Sequence, residues 1–230
     1  MKSHHRHQRQ HVPRLILLPL LAALAGGLGY VLLSLPTTSP GLAPMVNVHL
    51  QASGVSNPVT AVLLNFRGYD TLLEMGVLLL ALTGVWSLAG KAPRQARPPD
   101  PVLELLARVL VPLMILVAGY LFWIGGQAPG GAFQAGSVLG AAGVLILLTG
   151  WQAGPPVDGP GLRTVLAAGL IVFVLTGLAT MVSGRRFLEY PLPAAGMIIL
   201  FIEAVATLSI GLTLAALFLG GRPAPPPEEQ

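Results

Sequence analysis

Residues Ala194–Leu219 read AAGMIILFIEAVATLSIGLTLAALFL, an apolar run interrupted by one charge, Glu203. A helix needs about 20 such residues to cross a bilayer, so this segment is a membrane span with a carboxylate set inside it. Comparable runs precede it at Val12–Leu35, near Thr71–Ala89, and at Val102–Ile124, Ala132–Trp151 and Leu162–Val182, separated by turns rich in glycine and proline. The whole chain of 230 residues is 53% hydrophobic and 10% charged, with a mean hydropathy of +0.74. Soluble domains carry roughly 25% charge, which excludes an ordinary water-soluble enzyme. The fold class expected is all-α, a polytopic integral membrane protein of about six transmembrane helices. With no cysteine, disulfides, thiolate metal sites, chain-bound iron–sulfur clusters and cysteine nucleophiles are ruled out.

The 13 Lys and Arg residues stand singly between apolar runs and act as topology signals rather than as a nucleic-acid footprint. Lys2, Arg6, Arg9, Arg14, Lys91, Arg94, Arg97, Arg163 and Arg222 fall on one side, and Arg67, Arg185 and Arg186 on the other. The positive-inside rule then places both termini of this multi-pass protein in the cytoplasm. The basic start followed by Val12–Leu35 has the outline of a signal peptide. The run exceeds the usual 7 to 15 residues of such a region, however, and it is read as a retained span. His4, His5, His7 and His11 lie in this basic tail, and no metal is assigned to them. Residues 36–58, with four prolines and no Lys or Arg, read as an extended loop. A short interfacial helix is expected before the second span. Composition shifts at the Pro-rich 91–101 loop, giving a tail (1–12), a two-span module (13–100), a four-span module (101–220) and a disordered tail (221–230).

A charge inside hydrocarbon costs on the order of 2.5 to 3.5 kcal/mol, so Glu203, Glu74 and Arg108 need partners or a hydrated path. Glu203 has no cationic residue within one turn of its own helix. It can exchange a proton, hold a cation, or serve as a protonated or interface-paired structural residue. Arg108 follows Glu104 by four residues, the spacing of a local ion pair. Arg67, Asp70 and Glu74 share one face if helical, with one carboxylate in excess. This group is either a place where cations enter or an interfacial helix pinned by a salt bridge.

Gly125–Gly136 (GGQAPGGAFQAG) breaks the hydrophobic stretch. Backbone freed at membrane depth must be buried in protein or line a cavity, although a tight hairpin letting two helices pack would also account for it. Gly136, Gly140 and Gly143 continue as a small-residue face suited to close helix packing. There is no phosphate-binding loop, zinc-protease helix or hydrolase triad, and no inverted repeat long enough for a self-sufficient transporter. No catalytic residue, metal or cofactor is assigned, and a small subunit of a larger complex is the natural reading.

The run Pro129-Gly130-Gly131-Ala132-Phe133-Gln134-Ala135-Gly136, with Ala107–Pro112 (ARVLVP) on the preceding span, resembles the MnhB (MrpB) subunit of the Mrp-type multisubunit Na⁺/H⁺ antiporters, found also in membrane-bound hydrogenases. The resemblance covers roughly residues 102–219. In the family the motif looks like Pro-Gly-Gly-Gly-Phe-Gln-Gly-Gly, so Ala132 and Ala135 stand for two glycines here. A late-helix acid in the family is similar in placement to Glu203. The stretch Asn57–Glu74 (NPVTAVLLNFRGYDTLLE) resembles the small MbhE-like component of membrane-bound hydrogenase, and equally the C-terminal end of the antiporter's large MrpA component. The chain therefore looks like a fusion of two neighbouring pieces. The resemblance implies a subunit of a complex exchanging Na⁺ or other monovalent cations for protons, or of a redox complex containing that module. Its partners would be other hydrophobic subunits, Na⁺, H⁺ and the lipid bilayer. Glu203 and Glu74 would then lie on the ion or proton path, with Arg67, Asp70 and Arg108 supporting it and Pro129, Gly130, Gly131, Phe133, Gln134 and Gly136 forming a structural motif. The alternative is a non-conducting assembly subunit.

Overall fold

The computed structural model describes residues 11–35, 41–88, 100–149 and 160–220. The histidine-bearing start (residues 1–10, with Lys2, Arg6 and Arg9), the loop carrying Lys91, Arg94 and Arg97, and the 221–230 tail with Arg222 lie outside the described residues, as do the side chains of His11 and Arg14.

The chain divides into two compact units, residues 1–44 and 45–230. The first contains α1 (His11–Ser34), 24 residues with Pro19 inside; its Leu17–Ser34 stretch is apolar enough to cross a membrane. The helix α2 (Ala43–His49) follows and runs into a 3-10 turn, Leu50–Ser53. This corrects the expectation of an extended loop over 36–58. Pro44 sits in the first turn of α2, where a missing N–H costs little. No proline then interrupts Met45–Asn57. The turn ends at Gly54, whose φ of 79° is left-handed.

Asn57 caps the next helix, α3 (Pro58–Ala61), accepting a 3.0 Å hydrogen bond from the Val59 N–H. A π-helical turn, Val62–Phe66, closes through Arg67 N–H to the Val62 carbonyl at 2.8 Å. The long helix α4 (Gly68–Leu88) starts beyond it. A short helix does precede the second span, namely α3 with its π turn. At the break, the Thr71 hydroxyl donates to the Leu63 carbonyl at 2.6 Å, so the irregular backbone keeps its hydrogen bonds as an apolar setting requires.

The remaining helices are α5 (Pro101–Ile124), α6 (Ala132–Leu148), α7 (Pro160–Val182) and α8 (Ala195–Gly220). Asp100 caps α5, accepting from Val102 N–H at 2.9 Å, and Pro101 fills its first position. Together with α1 and α4, three of these four are long and apolar enough to span a membrane. The exception is α6, of 17 residues. At 1.5 Å per residue it covers about 25 Å, less than the roughly 30 Å hydrocarbon core, because it begins at the depth of Glu203, as described below.

Within the second unit α8 is the central element, packed against α4, α5, α6 and α7. Its Ala195, Ile199, Ile202, Ala206 and Ile210 form the core with Leu64, Met75, Phe173, Leu188 and Tyr190. A second cluster, Leu82, Leu166 and Ala216, closes the opposite end. Helix α8 has hydroxyl-bearing residues on buried faces, and each finds a carbonyl: Thr207 bonds the Glu203 carbonyl and Thr213 the Ser209 carbonyl, both at 2.7 Å. Ser209 reaches across to the Leu166 carbonyl of α7 at 2.5 Å. The Gly136, Gly140 and Gly143 face expected to pack closely does so, against α8. A Cβ on Gly140 would stand 2.9 Å from Leu214 Cβ and 3.1 Å from the Gly211 carbonyl oxygen. Backbones approach this closely only where side chains are absent.

Candidate functional site

Glu203 is 3% exposed, just over two turns into α8. Its carboxylate meets the start of α6. The Ala132 N–H donates to it, and a Cβ on Gly131 would lie 2.5 Å from Glu203 Oε1. Gly131 has φ 97° and ψ −170°, a conformation open essentially to glycine alone. The missing side chain and the permitted backbone thus serve one end, bringing the start of α6, with its Ala132 N–H, onto the carboxylate. The first amides of a helix have no partner within it, and they carry about half a positive charge at the helix end. The Pro129–Gly136 motif and Glu203, read separately in the sequence, form one site.

Within the motif the residues divide by role. Gly130 and Gly131 fold the turn back on α5, with the Gly131 N–H donating to the Leu121 carbonyl at 2.8 Å. Gly136 packs on Ile210 and the Thr207 carbonyl. Phe133 is half-buried against the core, while Pro129 and Gln134 are exposed. Ala132 and Ala135, standing where the family motif has glycine, are buried without obstruction. Close approach is demanded at 131 and 136 rather than at those two positions.

A clasp outside the predicted residue set holds this turn. Asn57, 4% exposed, donates from Nδ2 to the Gly125 carbonyl at 3.0 Å and the Ala128 carbonyl at 2.7 Å. Thr60 adds a 2.5 Å bond to the Gly125 carbonyl, and the Ser56 and Asn57 N–H groups both reach the Gly126 carbonyl at 3.0 Å. Gly54 completes the contact, since a Cβ there would stand 2.5 Å from Ala195 Cβ. In the sequence Asn57-Pro58 reads as a helix start, which it is; its side chain's contacts with the turn depend on residues some seventy positions away, so no local signal reveals them. Replacing Asn57 with Ala leaves the Ala128 carbonyl without its donor. It is expected to cost about 1–3 kcal/mol, read as a lower melting midpoint of the detergent-solubilised protein; Asn57→Asp keeps the cap of α3 but is also expected to destabilise, because it removes the N–H donors and sets a carboxylate against the Gly125 and Ala128 carbonyls.

Beside the clasp opens a cleft of about 580 Å³. Gln51, Ser56, Trp123, Gln127, Ile199 and Glu203 are among the residues that line it. Glu203 is the one charged residue lining it.

The other predicted residues lie elsewhere. Arg108 donates to Glu104 Oε1 at 2.6 Å, an exposed i,i+4 pair as the spacing indicates. Arg67 pairs with Asp70 on the exposed surface where the π turn meets α4. Glu74 stands one turn further along α4, exposed, outside the cleft and with no ion-pair partner among the described residues. In the 183–194 connection Tyr190 is buried with its hydroxyl unpartnered, and burial pushes its phenol well above the usual range, so it stays neutral. No cluster of potential metal ligands occurs among the described residues.

Comparison with known proteins places this geometry. Over 171 residues the chain is 29% identical to an uncharacterized protein of Methanocaldococcus jannaschii, covering 64% of this chain and 65% of that one. A probable K⁺/H⁺ antiporter A/B subunit of Rhizobium meliloti is 27% identical over 86% of this chain and 24% of its own length. The B subunit of the Na⁺/H⁺ antiporter of Bacillus subtilis is 31% identical over 40% of this chain and 64% of its own length. The chain thus spans less than two thirds of each of these relatives. Among solved structures, a chain of the membrane-bound sulfane sulfur reductase, an archaeal respiratory membrane complex, superposes with a TM-score of 0.69 at 26% identity, over 91% of this chain and 97% of that one. The Mrp complex from Dietzia sp. shares the fold at a TM-score of 0.61 and 24% identity, over 100% of this chain and 27% of the matched one. The domain described as related to the MnhB subunit of Na⁺/H⁺ antiporters matches residues 102–220, α5 through α8 with the glycine turn and Glu203 among them, and this multi-pass membrane protein belongs to that family.

Proposed function

We propose that the chain is a membrane subunit of a multisubunit monovalent cation/proton antiporter, or of a redox-driven complex containing the same module, and that Glu203 serves its ion or proton path. The observation that carries this is the carboxylate's position, buried at the start of α6 yet facing an open cleft. A purely structural glutamate in hydrocarbon is costly and gains nothing from a cleft leading to it. Glu74 is the second carboxylate of the path, reached from a neighbouring polypeptide because it faces outward on α4. Arg67 with Asp70, and Arg108 with Glu104, hold charge at the helix ends. Other hydrophobic subunits, of the kinds found with the antiporter and respiratory relatives, are the partners, with Na⁺ or another monovalent cation and H⁺ as cargo. The fusion of a two-span module with the four-span module is supported by the Rhizobium relative, which aligns over 86% of this chain. The prokaryotic plasma membrane, with both termini cytoplasmic, is the location that fits the charge distribution.

The alternative of a non-conducting assembly subunit held by glycine-rich faces has less support, because the Gly136, Gly140 and Gly143 face is occupied by the chain's own α8. Glu203→Gln in the whole complex separates the two. The expected result is loss of cation-driven proton movement in everted vesicles by tenfold or more, with the complex recovered at normal levels. Unchanged transport, or a complex that fails to assemble with Gln but is restored by Asp, would overturn the transport role.

A further inference from the structure

The turn that brings α6 onto Glu203 has little of its own to fix its position. Of its seven residues from Gly125 to Gly131 four are glycine, while Gln127 and Pro129 are exposed, so few side chains anchor it. Glycine also gives up more conformational freedom on ordering than any other residue. Hydrogen bonds to the turn's backbone hold it instead, and they come from two sources. The first is α5, where the Ile124 carbonyl accepts from Gln127 and Ala128 N–H at 2.8 and 2.9 Å and the Leu121 carbonyl accepts from Gly131 N–H at 2.8 Å. The second is the segment 56–60, which takes up the carbonyls of Gly125, Gly126 and Ala128. The next amide along, that of Ala132, is the one given to the Glu203 carboxylate.

This second source lies outside residues 102–220, the part matched as MnhB-related. Within it Asn57 does two separable things. Its Oδ1 caps α3 by accepting the Val59 N–H, and its Nδ2 donates to the Gly125 and Ala128 carbonyls, 68 and 71 positions away. Thr60, also buried, reaches the same Gly125 carbonyl. The cap belongs to α3 alone, whereas the bonds to the turn bear on where α6 begins.

We infer that Asn57 and Thr60 are positioning residues for Glu203: by holding the Gly125 and Ala128 carbonyls they keep the start of α6, with its Ala132 N–H, on the carboxylate. The inference rests on Glu203 acting in transport. It goes beyond that reading by making the setting of Glu203 depend on a segment outside the MnhB-related domain.

The test uses membrane vesicles carrying the whole complex. Asn57→Ser retains an oxygen suited to capping α3 but loses the side-chain amide that holds the turn, and Thr60→Val removes the hydroxyl while keeping the branched shape. Thr60→Ser, which keeps the hydroxyl, is the control. The readout is the rate at which Glu203 reacts with dicyclohexylcarbodiimide, its peptide quantified by mass spectrometry against that of Glu74, which is exposed on α4 and outside the cleft. In the double variant, Glu203 labelling relative to Glu74 should rise by about threefold or more, the scale of one hydrogen bond lost from the carboxyl group. Transport per assembled complex should fall with it, and Thr60→Ser should match the unsubstituted protein in both. A variant that melts earlier yet labels Glu203 at the unchanged ratio would show the clasp to be structural alone and would overturn the inference, as would a Glu203 unlabelled in every variant. If the double variant does not assemble, Asn57→Ser alone is read by the same two outcomes. The transport role fails separately, by full transport in Glu203→Gln, and the labelling ratio does not depend on that result.

Discussion

Gly140→Ala is expected to destabilise the second unit by about 1–3 kcal/mol, and Gly140→Leu to leave no folded protein in the membrane fraction. The reason is what the new side chain meets. Its Cβ would stand 2.9 Å from Leu214 Cβ and 3.1 Å from the Gly211 carbonyl oxygen. Neither is the end of a flexible side chain, so no change of rotamer relieves the contact, and the helices must separate. Overpacking of a fitted core costs about 1–3 kcal/mol even for small additions. Gly136 is held in the same way, its Cβ falling 2.9 Å from Ile210 Cβ and 3.1 Å from the Thr207 carbonyl oxygen. The internal control is Gly119 on α5, where a Cβ would meet nothing within 4 Å. Gly119→Ala should be neutral or stabilising by up to about 1 kcal/mol through helix propensity. Opposite signs for two Gly→Ala changes in membrane helices, read by thermal unfolding of the purified protein, are the expected signature. A neutral Gly140→Ala would show that α6 and α8 do not approach this closely.

The spans were legible in the sequence because twenty apolar residues leave the backbone no alternative to a helix in lipid. The ion pairs of Arg108 with Glu104 and Arg67 with Asp70 were legible because three and four residues fix neighbours on or beside a helix. Glu203 stood out for the same reason as any charge in hydrocarbon. What the sequence did not disclose is contact at long separation. Nothing local in Pro129–Gly136 says that its turn closes onto residue 203, or that Asn57 holds it from seventy residues upstream. The helix within 36–58 was hidden by the prolines at its margins, which read as loop punctuation although Pro44 occupies a first turn that tolerates it. Glu74 could be placed on a helix face by spacing, but which way that face points depends on how α4 packs on α7 and α8.

Gly131→Ala is expected to abolish transport as fully as Glu203→Gln, through a different cause that a double substitution exposes. Two penalties act at this position. The backbone at φ 97° and ψ −170° is costly for any residue with a Cβ, on the order of 1–3 kcal/mol. The Cβ also falls 2.5 Å from Glu203 Oε1, so the carboxylate must leave the start of α6 and lose the Ala132 hydrogen bond. The first penalty is intrinsic to the turn, whereas the second exists only while Glu203 is present. Stability of Gly131→Ala measured in a Glu203→Ala background should therefore fall less than in the wild-type background, since the contact has gone and the backbone penalty alone remains. Residues in direct contact commonly show such coupling at about 0.5–3 kcal/mol, and a value in the upper half of that range is expected here. Strict additivity would mean that Gly131 is required by the turn alone. It would remove the claim that the glycine motif exists to bring the start of α6 onto the carboxylate.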